Sequence, residues 1–186
     1  DDLAHSQHVA KLAVELFDGT VDVHGLDEPC RDYLEAAAML ANVGLVISHS
    51  KHHVHSYYVI RNCDDLTGFT DHEIEIIALI ARYHRKSSPK PSHQEFAQLD
   101  AASQKVVRTL AALLRVSIGL DRSHDQRVAS VRATREGHRL VVHLSPSGRA
   151  PLDLELYSAG ERADLLEDVI GLDVTFRTPP ESSSSS

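Results

Sequence analysis

Cysteine is scarce in this chain. Only Cys30 and Cys63 occur, with no CxxC spacing, so neither a disulfide framework nor a zinc knuckle is encoded and a reducing cytoplasm is the expected setting. Long apolar runs are missing too: no stretch of about 18 apolar residues exists. The opening DDLAHSQ has no basic region leading into an apolar segment, as a secretory leader would. These absences predict a chain that neither spans a membrane nor is secreted. Basic charge is in deficit, with Lys and Arg numbering 19 against 27 Asp and Glu and a net charge of −8; nucleic-acid binding, which favours basic domains, is not expected. There is no Gly-rich phosphate loop, no nucleophile elbow and no internal repeat.

What is present fits an ordinary globular protein. The 186 residues, 42% hydrophobic and 25% charged, suffice for one domain with a full core, or a domain plus a small appendage. The chain starts without Met and enters a helical pattern at once, which leads us to expect a part of a longer protein. Two local features stand out. Four of the 13 histidines, His49, His52, His53 and His55, crowd the segment HSKHHVHS, which also carries Lys51. The stretch RYHRKSSPK holds Arg82, His84, Arg85, Lys86 and Lys90 without an acid. If a polyanion binds this acidic chain, the second stretch is where it binds; the plainer alternative is a solvated helix end, where cations offset the dipole.

Helical periodicity dominates the first two-thirds. Val9, Leu12, Leu16 and Phe17 mark a helix over 3–18. Asp27, ahead of Glu28 and Pro29, predicts a capped helix through Leu40. Thr70 and Glu73 form a capping box for a helix carrying Ile74, Ile77, Ala78 and Ala81 on one face, and Val106, Val107, Leu110, Leu113 and Leu114 mark another over 100–120. Beyond residue 122 the pattern changes. VASVRATR and HRLVVHLS predict strands joined at Glu136-Gly137. LDLELYS predicts a third strand, ERADLLEDVIG a helix ending at Gly171, and DVTFRT a last strand. The expected fold class is α+β: a helical domain over 1–124, a small β-rich module over 125–178, and a disordered, Ser-rich tail over 179–186.

Histidines spread over several helices resemble the HD phosphohydrolase arrangement. More closely, AHSQHVAKLAVELFD, AAAMLANVGLVISHSKHHVHSYYVI, LTGFTDHEIEIIALIARYHRK and LLRVSIGLDRSH, in that order, resemble the C-terminal half of the exopolyphosphatase / guanosine pentaphosphatase (Ppx/GppA) family. The small module looks like the last domain of the longer members. Together these cover nearly the whole chain.

The resemblance implies an eroded HD metal site. His5 stands where the first histidine is expected, Ala41 and Asn42 occupy the His-Asp pair, and Ile118 falls at the late Asp. Alanine and isoleucine ligate nothing, and an asparagine amide is a weak substitute for a carboxylate. No metal and no other cofactor is therefore expected in this chain, and no catalytic residue; Mg is expected only with the parent's actin-like catalytic half. What remains are phosphate donors: His49, Lys51, His52, His53, His55, Arg82, His84, Arg85 and Lys86. By resemblance the chain is an accessory half that binds and guides polyphosphate or pppGpp, with the N-terminal catalytic half as partner and a homodimer as the assembly. Two alternatives stay open. One is a metal-dependent phosphohydrolase with a rearranged site at His49, His53, His55 and His84; the other is a dimerisation module.

Overall fold

A computed structural model describes residues 2–180. Most of the expected tail, residues 181–186, lies outside the described residues. The helical part runs α1 (Leu3–Gly19), α2 (Val21–His24), α3 (Pro29–Leu40), a 3-10 turn (Val43–Val46), α4 (His52–Arg61), α5 (Asp71–Arg82), α6 (Gln94–Ala97) and α7 (Ala101–Gly119). Then come β1 (Val128–Glu136), β2 (Arg139–Pro146), α8 (Asp153–Glu161), α9 (Asp164–Ile170) and β3 (Asp173–Arg177). The class is α+β, mostly helical with a small mixed sheet, as expected.

Local chemistry accounts for the helix starts. Asp2 caps α1 by accepting from the His5 amide at 3.1 Å, and Asp100 caps α7 by accepting from Ser103 at 2.7 Å. The capping box at α5 is complete: Thr70 accepts from the Glu73 amide at 3.2 Å and Glu73 from the Thr70 amide at 3.0 Å. At α3 the expected Asp27 side-chain cap is not formed. Pro29 opens the helix, and the Asp27 carbonyl instead accepts from Cys30 at 3.0 Å.

The apolar faces meet in one core. Leu12 and Leu16 of α1, Leu34 of α3, Ile77 and Ile80 of α5 and Leu110 and Leu114 of α7 are all fully buried. Val128, Leu140 and Val142 of the sheet join the same cluster, so the strands are seated directly on the helices.

The sheet order is β1-β2-β3. The hairpin pairs Glu136 with Arg139, so its loop is Gly137-His138, one residue beyond the expected Glu136-Gly137. β3 runs parallel to β2, and a parallel neighbour requires a long crossover, usually helical. That requirement overturns one expectation: LDLELYS forms α8, not a strand. Its alternating Leu and acid spacing is a false signal, because Leu154 and Tyr157 face solvent while Leu152, Glu155, Ser158 and Ala159 are buried at helical spacing. The module is therefore β-β-α-α-β rather than β-β-β-α-β, with α9 ending at Gly171 as expected.

Candidate functional site: a cationic cleft at the expected metal positions

The turn between α3 and α4 brings the first site residues together. Ser56 on α4 accepts from the Gly44 amide at 2.9 Å and donates to the Ala41 carbonyl at 2.7 Å. This ties the LANVG segment against the start of α4. From the other side, the end of α5 is held by α7. Arg115 donates to the carbonyls of Tyr83 at 2.6 Å, Lys86 at 3.0 Å and Ser87 at 2.9 Å. Tyr83 caps α5 and Lys86 and Ser87 lie in the turn beyond it, and a planar guanidinium fork can satisfy several such carbonyls at once. The grip fixes residues 83–87, the turn that presents Arg85 and Lys86.

Between these elements opens a cleft of about 670 Å³. Three of the four eroded HD positions line it, His5, Asn42 and Ile118, joined by His52 and His84 from the expected phosphate donors. The fourth, Ala41, is 2% exposed and belongs to the core. The remaining lining is strongly cationic, with Arg85, Lys86, Arg115, Arg122 and Arg162 against a single acid, Glu161.

Hydrogen bonding fixes the imidazole tautomers. Arg85, which can only donate, lies 3.1 Å from His52 Nδ1. His52 Nε2–H then donates to His84 Nε2 at 3.3 Å, and His84 Nδ1–H donates to the Ala81 carbonyl at 2.5 Å. The His49 carbonyl, 3.4 Å from His52 Nδ1, is no partner in this scheme, because that nitrogen carries no proton. Both rings are neutral. Burial pushes the His84 pKa down to about 3, and burial, then the neighbouring Arg85, lowers that of His52. His5 is bound through Nδ1 to the fully buried Asp121 at 2.7 Å and stacks on His124 at 3.6 Å.

These residues do not fit a resident metal. The lone pair of His84 is engaged by His52 and that of His52 by Arg85, while Ile118 and Ala41 have none to give. The other lone pairs in the cleft, on His5, His124, the Asn42 amide and the Glu161 carboxylate, are not gathered into a ligand set. Among the described residues no three His, Cys, Asp or Glu side chains are grouped so as to hold an ion.

The histidine-rich segment is divided rather than pooled. His52 lines the cleft, whereas Lys51, His53 and Arg82 line a second cavity of about 390 Å³, and Lys86 borders both. His49 is exposed and His55 half-buried, and neither lines either cavity. Arg115, Arg122, Arg162, Asp121 and His124 escaped sequence reasoning. Arg115 was findable, lying one helical turn before Ile118 on the same face. Arg162 was hidden behind the misread α8.

Replacement of Arg115 by Lys tests its grip. One ammonium cannot bridge three carbonyls, so Arg115→Lys should cost about 1–2 kcal/mol in denaturant unfolding. It should also speed hydrogen exchange selectively at residues 83–87. Unchanged exchange there would show that the turn holds itself.

A helical domain with a cationic cleft at the expected ligand positions, carrying a small mixed sheet, is the class that fold and site define. The family model described as Ppx/GppA phosphatase, domain III, matches residues 2–150. The chain belongs to that family. Among the described residues no helix is long and apolar enough to cross a membrane.

Proposed function

We propose that this chain is a non-catalytic accessory region of a Ppx/GppA-type phosphatase, and that its cleft binds the phosphates of polyphosphate or pppGpp and guides them toward a catalytic half elsewhere in the parent. The observation that carries the reading is the lining of the cleft: Arg85, Lys86, Arg115, Arg122 and Arg162 against Glu161 alone, on a chain whose net charge is −8. Such focused charge in an acidic protein suits phosphate oxygens. In this reading guanidinium and ammonium groups stand where the resemblance places a metal, and the neutral His52–His84 pair adds no charge of its own. The same reading takes the parent to be a cytoplasmic homodimer whose Mg-dependent chemistry lies outside this chain.

The test is binding of long-chain polyphosphate to the purified chain by calorimetry. Neutralisation of about four phosphate charges, at roughly 0.7 counterion released per charge, would weaken binding ~50-fold between about 50 and 200 mM salt. Arg85→Ala with Arg122→Ala should reduce both the affinity and the salt slope. Affinity indifferent to salt and to these substitutions would overturn the proposal.

A further inference from the structure

The second cavity lies back to back with the cleft. Adjacent residues are shared out between them: His52 and His84 line the cleft, while His53 and Tyr83 line the cavity. Successive positions on a helix point about 100° apart, so the first turn of α4 and the end of α5 form a ridge with a site on each flank. Lys86 borders both.

The cavity is cationic in its own right. Lys51, Arg82 and Lys86 line it and no acid does. Arg82 is already matched by Glu95 at 3.1 Å, but among the described residues no ion pair involves Lys51 or Lys86. Both lysines hold left-handed backbone conformations, with φ of 53° and 63°, which cost a non-glycine residue about 1 kcal/mol each. His53 adds a buried Nδ1 with no hydrogen-bond partner, a deficit worth about 1–3 kcal/mol that an oxyanion could relieve. Its pKa is pushed down to about 4, first by burial and then by Arg85, so the free ring is neutral and offers a single N–H.

We infer that the cavity formed by Lys51, His53 and Lys86 is a second phosphoryl-binding subsite, joined to the cleft across Lys86, so that one linear polyanion occupies both flanks of the ridge. The inference rests on the reading of the cleft as an anion site. It favours an extended chain of phosphoryl groups over a compact nucleotide, because cations flank the shared lysine and the phenol ring in the cavity wall, Tyr83, is only 2% exposed and already stacked on His93. An anion seated here neutralises Lys51 and Lys86 and accepts from His53, while its continuation meets Arg85 and Arg122 in the cleft.

Two probes separate the subsites: tripolyphosphate, which fills the cleft, and long-chain polyphosphate, which spans the ridge. Lys51→Ala with His53→Gln should weaken long-chain binding roughly tenfold, the effect of one lost charge-assisted contact plus one hydrogen bond, and tripolyphosphate binding less than twofold. Arg122→Ala should weaken both probes. Lys51→Ala alone, a change at an exposed side chain, should show the same selectivity at smaller amplitude and guards against misfolding of the double variant. If the Lys51 variants leave long-chain affinity intact while Arg122→Ala lowers it, the second subsite is refuted and the cleft stands. Equal losses for both probes would refute the bridging. Failure of either probe to bind the wild-type chain would remove the cleft reading itself.

Discussion

Gly44→Ala should destabilise the fold by roughly 3 kcal/mol, at the upper end of what overpacking costs. A Cβ at position 44 would lie 2.1 Å from the His52 carbonyl oxygen, 2.4 Å from the Ser56 amide nitrogen and 2.8 Å from the His55 carbonyl carbon. All three are backbone atoms of α4, so no side-chain rotation relieves the clash; the helix itself has to retreat. Retreat breaks the Ser56 link, in which the hydroxyl accepts from Gly44 at 2.9 Å and donates to Ala41 at 2.7 Å. It also withdraws His52 from His84. For a chain of this size the loss corresponds to about 6–12 °C in Tm. Gly148→Ala, where nothing lies within 4 Å of the added carbon, is the matched control and should stay within about 0.5 kcal/mol of wild type. The Gly44 variant should also lose phosphate-dependent stabilisation, since the wall of the cleft moves. Unfolding midpoints of the two variants that coincided would show that α4 is not held by this close approach.

The helices were legible because each carries its own evidence. The Thr70–Glu73 capping box, the Pro29 start and the apolar spacing of α1 and α7 are local signals, and tertiary structure did not override them. LDLELYS failed for the opposite reason. Its alternation of Leu with Asp, Glu and Tyr imitates a strand, and only the long-range pairing of β3 beside β2 forces that segment to be a crossover helix. Glu155, fully buried with one carboxylate oxygen on the Ser123 amide at 3.1 Å, is where the strand reading and the structure part: no sequence rule places a carboxylate inside.

The site follows the same division. Three of the four positions inferred from the family pattern, His5, Asn42 and Ile118, converge on one cleft. The histidine cluster, read as one group because its members are neighbours in sequence, splits at the ridge between His52 and His53. Helical geometry forbids neighbours from sharing a face, so contiguity was a poor guide to common purpose. The charge that gives the cleft its character comes from Arg115, Arg122 and Arg162, contributed by α7, the turn beyond it and the turn after α8. None carries a motif; each is a lone arginine whose meaning depends on what folds beside it.

Acid should destabilise the protein well before its carboxylates protonate, and His84 should be the main reason. Its pKa falls from 6.5 in a free chain to about 3 in the fold, because burial opposes its charge. Above pH 6.5 the ring is neutral in both states and contributes nothing to pH dependence. Below it the unfolded chain takes up a proton that the folded chain refuses, so stability declines as pH falls, and the decline continues until the folded ring itself protonates near pH 3. The expected slope is about 1.4 kcal/mol per pH unit, or about 3 kcal/mol between pH 7 and 4.5. His53, pushed down to about 4, and His52, also lowered, act in the same direction. The carboxyls of Glu73, Glu95 and Asp100 are held below their usual range and lose their contribution only at lower pH, so a series ending at pH 4.5 isolates the imidazoles. His84→Gln supplies the control. Its amide donates to Ala81 and accepts from His52 without titrating, so the variant starts less stable at pH 7 but should lose stability with acid more gently, by about one proton's worth of slope. Urea unfolding at half-unit pH steps measures both. Parallel curves for wild type and variant would mean that His84 accepts a proton in the folded cleft, and the tautomer chain from Arg85 through His52 to Ala81 would then be wrong. A shallower curve for the variant would instead establish that the cleft is built to hold its imidazoles neutral, leaving the arginines and lysines as the carriers of its charge at physiological pH.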